Sequence, residues 1–392
     1  MIASFHPPLR KLMGPGPSDV HPRVLGAMGR PTIGHLDPAF VRMMDETKAL
    51  LRYAFRTKND LTIPLSGPGS VGMESCFVNL VEPGDTVIVC QNGAFGGRMK
   101  ENVERCGGTA VMVVDGWGSA VDPQKVEDAL KSNPGAKAVA FVHAETSTGV
   151  QSDAAALCAL ARTHGAFSIV DCVTSLGGTP VLVDDWGADA VYSGSQKCLS
   201  CMPGLSPLTI SAGAAEAIRR RNRKGHSWFM DLTLVMGYWG PGSARIYHHT
   251  APINALYALH EALVMLQEEG IEAAWARHVR MHGALRAGAE AMGLSFVVDP
   301  AHRLPQLNAI AVPEGVDEAA VRHSLLERYD LEIGAGLGDL AGKVWRVGLM
   351  GQSATAEHVT LFLAAMEDIL GEQGAAIEAG AALPAARAAL KA

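Results

Sequence analysis

Apolar residues fall into two textures along this chain. Between Leu61 and Ser211 they form short runs, at Leu61–Leu65, Thr86–Cys90, Ala110–Val114, Ala138–Val142, Phe167–Val170, Ala190–Tyr192 and Leu208–Ser211. Runs of this length, bounded by turn residues, predict buried strands. Segments with helical spacing lie between most of them, at Val71–Leu80, Pro123–Lys131 and Ser152–His164, and another precedes them at Phe40–Phe55. Such alternation predicts an α/β fold whose mostly parallel sheet carries helices on both faces. From about Thr250 the texture changes. Ile253–Glu269 and Glu272–Met292 are long helical patterns with no breaker inside. They lead to a smaller α/β unit with strands at Ser295–Val298, Leu307–Val312 and Val344–Gly348 and helices at Asp317–Tyr329 and Ala356–Leu370. The Ala- and Gly-rich tail, Gly371–Ala392, reads as a loosely attached helix. Met13–Val20 is a Gly/Pro-rich arm that can form neither helix nor central strand. These textures divide the chain into an arm (1–20), a large domain (21–265) and a small C-terminal domain (266–392).

Composition narrows the class. The 392 residues are 48% hydrophobic and 19% charged, and 33 basic against 40 acidic residues leave a net charge of -7. That balance argues against a nucleic-acid binder, which concentrates basic residues. The one basic run, Arg219 to Lys224, follows an alanine-rich helical stretch and reads as a solvated helix end. No segment approaches 18 uninterrupted apolar residues, and Met1–Arg10 lacks the apolar core of a signal peptide, so neither a membrane span nor secretion is expected. The seven cysteines form no regular framework and read as reduced thiols of a cytoplasmic protein. Cys198 and Cys201 form a single C-x-x-C pair without the second half a zinc site needs, so no metal is expected.

Three local patterns carry candidate chemistry. Gly67-Pro68-Gly69-Ser70-Val71-Gly72 spells G-x-G-x-x-G between a predicted strand and a predicted helix. A dinucleotide fingerprint also requires an acidic residue at the end of the next strand, which here ends Cys90-Gln91-Asn92. The surviving content is a glycine-lined helix start that suits a phosphate at Gly69 and Ser70. Asp171 ends the run Phe167–Val170, and therefore stands at the carboxyl end of a strand, where α/β folds place ligands. Lys197 follows the next run, in a loop between Gly194 and Pro203-Gly204. A lysine among small and apolar residues sheds its proton readily and becomes a nucleophilic amine. Pyridoxal 5'-phosphate (PLP) needs both groups: an amine for a Schiff base and an acid against its ring nitrogen. A nucleotide-binding α/β protein would explain the glycine loop but leave Asp171 and Lys197 unrelated.

At these residues the chain resembles the class V PLP-dependent aminotransferases, specifically the alanine–glyoxylate/serine–pyruvate branch. The strings that carry the resemblance are Ala144-Glu145-Thr146-Ser147-Thr148-Gly149-Val150, Val170-Asp171-Cys172-Val173-Thr174-Ser175-Leu176-Gly177-Gly178, Tyr192-Ser193-Gly194-Ser195-Gln196-Lys197 and Tyr247-His248-His249-Thr250. The resemblance implies a type I PLP-transferase fold, with a mostly parallel seven-stranded sheet in the large domain, and a homodimer with shared active sites. It implies that Lys197 holds the cofactor, Asp171 pairs with the ring nitrogen, Val173 and Phe95 cover the two ring faces, and Thr146 bonds the 3′ oxygen. Gly69, Ser70 and Gln196 would hold the phosphate, helped by Tyr247 and Thr250 of the partner subunit. Arg346 would clamp the substrate carboxylate, and the arm at Gly16 would close over the site. The adjacent histidines His248 and His249 read as interface residues. The implied reaction is transamination between serine or alanine and glyoxylate or pyruvate. Other members take aspartate, ureidoglycine or pyridoxamine as donor, and Leu36, where relatives often carry arginine, points away from a second acidic group. A PLP-dependent lyase or desulfurase would share Lys197 and Asp171, but a desulfurase needs a cysteine in the C-terminal third and the last one here is Cys201.

Overall fold

The computed structural model describes residues 1–240 and 245–391. Seven strands form one sheet in the spatial order Leu61–Ser66, Leu205–Ile210, Ala190–Tyr192, Phe167–Asp171, Ala138–Val142, Thr86–Gln91, Thr109–Val114. All neighbours are parallel except at Leu205–Ile210, which runs antiparallel to both of its own. Ala138–Val142, Ala190–Tyr192 and Leu205–Ile210 are buried along their whole length. A strand covered by helices on both faces must be apolar throughout, which is why these runs do not alternate. Each fully buried Val, Ile or Phe in them adds roughly 1.5–3 kcal/mol.

Side-chain caps set several of the helix starts. Pro38–Phe55 begins behind Asp37, whose carboxylate accepts the Ala39 N–H at 2.7 Å, with Pro38 in the first turn. Asp317 and Thr355 cap Glu318–Tyr329 and Ala356–Glu372 in the same way. The interior forms two large apolar clusters. One runs from Val24 to Ala274 and encloses the seven-stranded sheet. The other joins Met13 of the arm to residues between Met281 and Ala386. Its sheet has three antiparallel strands, in the order Leu307–Ala311, Val344–Gly348, Gly334–Ala335. The arm is tied to this second unit: Lys11–Leu12 pairs in parallel with Leu331–Glu332.

Three expectations require correction. The run predicted at Leu208–Ser211 begins at Leu205, because Ser206 and Pro207 break the apolar pattern without breaking the strand. Pro207 lies opposite Pro64 in the register, so the two residues with no N–H to give face each other. Ser295–Val298 is not a strand. Phe296 makes one isolated bridge to Ile310, and the chain then turns at Asp299-Pro300. The edge of the small sheet is instead Gly334–Ala335, which has no apolar signature at all. The tail is not loosely attached. Its helix, Ala382–Lys391, lies against Ile271–Ala291 and Ala356–Glu372 and buries Ala382 and Ala386 in the second cluster.

Candidate active site

The carboxyl ends of Phe167–Asp171 and Ala190–Tyr192, neighbours in the sheet, bring Asp171 and Lys197 to one edge. Asp171 is buried. Its Oδ1 accepts the Val173 N–H at 2.8 Å and its Oδ2 accepts the Tyr192 hydroxyl at 2.8 Å. Burial pushes its carboxyl up to about 7, against the two donors that pull it down. Lys197 is also buried, and burial brings its amine down to about 8, with the Arg346 charge acting in the same direction. Its Nζ donates to the carbonyl of Pro15, and its carbonyl accepts the Ser18 hydroxyl at 2.7 Å. The arm therefore lies across the lysine at Gly16: a Cβ there would stand 2.5 Å from Lys197 Cδ.

Beside this pair opens a cavity of about 220 Å³, lined by Gly69, Ser70, Phe95, Asp171, Val173, Gln196 and Lys197 together with Pro68, Met73, Arg98 and Tyr192. Gly69–Leu80 starts at its rim with no side chain capping the helix, so N–H groups of the first turn remain for an anion. Gln196 Oε1 is buried without a partner. The Phe95 ring carries the Arg98 guanidinium 4.7 Å from its centroid. Among the described residues Arg98 has no carboxylate partner within ion-pair distance, and it brings a second cation to the cavity beside Lys197.

Thr146, Gly16 and Arg346 are not among the residues that line that cavity. Thr146 Oγ1 shares a hydrogen bond of 2.5 Å with Thr174 Oγ1. Arg346 projects from the small sheet and donates to Thr146 O at 3.1 Å and to Ala335 O at 2.6 Å. It is buried and forms no ion pair among the described residues, and its remaining N–H groups suit a carboxylate. Tyr247 and Thr250 are not in this cavity. Both are exposed, 3.5 Å apart through their hydroxyls, and the His35 ring stands 5.2 Å from that of Tyr247. His248 and His249 share a hydrogen bond of 2.7 Å, and His249 meets Ser66 Oγ at 2.7 Å. No cluster of metal-ligating side chains exists among the described residues. Burial pushes both Cys198 and Cys201 up to about 12, so neither is a thiolate near neutral pH.

Sequence reasoning missed three residues. Glu145 is buried and accepts the Phe95 N–H at 3.3 Å, the Ser147 N–H at 2.9 Å and the Ser147 hydroxyl at 2.6 Å, which fixes the start of the Phe95 helix. Burial raises its carboxyl. Gly93 lets it approach: a Cβ there would stand 2.4 Å from Glu145 Cγ. Arg98 and Tyr192 are the others. Glu145 and Tyr192 both stand inside strings quoted above, but no local pattern says where a buried side chain points.

An uncapped helix start, a flat aromatic and a buried carboxyl and amine lining one cavity fit a phosphorylated pyridine aldehyde. The chain belongs to the class-V aminotransferases, whose family description matches residues 19–357, and PLP is its cofactor. The solved alanine–glyoxylate aminotransferase from Nostoc is similar at 44% identity and a TM-score of 0.92, over 94% of this chain and 97% of that one. The ureidoglycine–glyoxylate aminotransferase from Bacillus subtilis superposes at a TM-score of 0.97 and 39% identity over 100% of both chains. The alanine–glyoxylate aminotransferase of Drosophila melanogaster is 39% identical over 93% of each chain.

Proposed function

We propose that this aminotransferase moves an amino group from serine or alanine to glyoxylate or pyruvate, as a cytoplasmic homodimer with shared active sites. The observation that carries the site assignment is the buried Asp171–Lys197 pair beside the uncapped start of Gly69–Leu80. Donor and acceptor rest on the likeness to alanine–glyoxylate and ureidoglycine–glyoxylate enzymes. When bound, PLP supplies a conjugated ring that takes up the electron pair left as a Cα proton departs.

The chain's own residues do the rest. Lys197, with its amine near 8, has free base available at neutral pH to hold the cofactor's carbonyl carbon. Its amine, when free, would carry the proton between substrate Cα and cofactor C4′. Asp171 holds the positive charge on the ring nitrogen. Val173 and Phe95 would enclose the ring, and Thr146 would hold its 3′ oxygen. Gly69, Ser70 and Gln196 hold the phosphate, with the charge of Arg98 in the same cavity. Arg346 holds the substrate carboxylate, Gly16 brings the arm over Lys197, and Tyr247 and Thr250 reach the neighbouring subunit's phosphate. The exposed rings of Trp228, Phe229 and Tyr247 make the surface that contains them apolar, as a dimer contact requires.

A panel of amino donors assayed with glyoxylate and with pyruvate tests the substrates. Serine or alanine should give the highest kcat/KM, and a preference for ureidoglycine, aspartate or pyridoxamine would replace them. Lys197→Ala should lose at least the roughly 10²–10⁴-fold contribution of a positioned proton carrier. An undiminished rate in that variant overturns the site assignment.

A further inference from the structure

We propose that Tyr192 is a positioning residue of the active site, whose hydroxyl fixes the orientation and the charge of Asp171. This rests on the reading that Asp171 opposes the cofactor's ring nitrogen, and it goes beyond the roles assigned above.

Tyr192 ends its strand with its ring fully buried. Its hydroxyl donates to Asp171 Oδ2 at 2.8 Å, while the Val173 N–H donates to Oδ1 at 2.8 Å. Two donors from different segments, one per oxygen, hold the carboxylate plane against rotation. The side chain is also held at its base. A Cβ at Gly72 would stand 2.9 Å from Tyr192 Cβ and 2.2 Å from Ser206 Oγ. The third glycine of the G-x-G-x-x-G string thus lets the helix that begins at Gly69 lie directly on Tyr192. One short path, from Gly72 to Tyr192 to Asp171, joins the phosphate end of the cavity to the ring-nitrogen end.

Charge supports the same role. Asp171 is out of water, and the groups facing it are Glu145, Lys197, Cys76 on the Gly69–Leu80 helix, and Cys172 next in sequence. Burial and Glu145 favour its neutral form. The Tyr192 hydroxyl, the Val173 N–H and Lys197 favour the carboxylate. Among the described residues Tyr192 is the only side chain that donates a hydrogen bond to Asp171. Burial and the adjoining Asp171 raise its own phenol well above the usual value, so it stays a donor across the working pH range.

The test is Tyr192→Phe, which keeps the buried ring and the contact of its Cβ with Gly72 and removes only the hydroxyl. The acid limb of kcat/KM should move to higher pH by about one unit, since a hydrogen bond to a charged group shifts its ionisation about tenfold. Tyr192→3-fluorotyrosine, a stronger donor, should move the limb the other way. The dissociation constant for PLP, measured by absorbance on wild type, Tyr192→Phe, Asp171→Asn and the double variant, gives a readout independent of turnover. Tyr192→Phe should weaken PLP binding about tenfold when Asp171 is present and change it little when Asp171 is already Asn. An unmoved acid limb, or an equal loss in both backgrounds, overturns the proposal. A wild-type protein that takes up no PLP would instead remove the function reading on which it rests.

Discussion

At the scale of single residues, the site is set by two groups held near the middle of the pH range by loss of water. Asp171 is pushed up to about 7 and Lys197 brought down to about 8, both chiefly by burial. The signs oppose in stability terms. Unfolded lysine binds its proton up to its ordinary value of 10.5, so between about 8 and that value folding gains as pH rises. For Asp171 the folded form keeps its proton longer, so the gain between 3.8 and about 7 is lost as pH rises. Reductive methylation of the cofactor-free protein measures the lysine directly. Modification of Lys197 should rise to half its maximum near pH 8, well below that of exposed lysines, once the arm is taken as open to the reagent. Half-reaction near the ordinary lysine value would show that the site is wetter than described. At this scale the sequence marked positions that follow from strand ends, as for Asp171 at the end of Phe167–Asp171 and Lys197 in the loop after Ala190–Tyr192, and the structure brings both to one cavity. Glu145, Arg98 and Tyr192 reach this region through side-chain direction inside the fold. Spacing along the chain carries no such information.

At the scale of elements, local pattern succeeded where burial makes a strand apolar throughout and failed where pairing is made by backbone alone. Gly334–Ala335 joins the small sheet with almost no side chain, and Leu205–Ile210 continues through Ser206 and Pro207 because its partner also offers a proline there. The tail escaped for a related reason. Alanines give a helix without marking a face, and only the assembled second core shows that Ala382 and Ala386 fill space beside Gly288, where a Cβ would meet the Ala382 carbonyl at 3.0 Å. Truncation after Gly374 should therefore uncover apolar surface of Ile271–Ala291 and lower the melting temperature by about 5 °C or more, as a loss of several kcal/mol does in a domain of this size. A melting temperature unchanged within error would mean the tail packs without contributing.

At the scale of the molecule, one face remains apolar. Trp228, stacked on His248 at a centroid distance of 4.5 Å, with Phe229, Ile246 and Tyr247, stands exposed beside the loop that carries His35 and Leu36. If this face meets a second copy and Tyr247 and Thr250 enter that copy's site, two defective chains can complement each other. Lys197→Ala and Thr250→Ala chains, unfolded and refolded together, should recover up to about one quarter of wild-type activity, because half the dimers are mixed and each mixed dimer holds one intact site. No recovery, in a mixture shown by mass to contain mixed dimers, would place the two residues in the same site of one chain.

The arm has a consequence in time. Met13 accepts the Gly348 N–H, Pro15 accepts from the Lys197 amine, and Lys11–Leu12 pairs with Leu331–Glu332. The bonds at Met13 and Lys11–Leu12 thus wait for the synthesis of residues 331–348, and until then the arm is held at Lys197 only by its own contacts there, such as that of Ser18 with the Lys197 carbonyl. A growing chain passes through a stage in which its large sheet can assemble while fewer bonds hold the arm over the lysine. Birth order thus gives the cofactor an easier entry, and the bonds to residues 331–348 then tighten the cover.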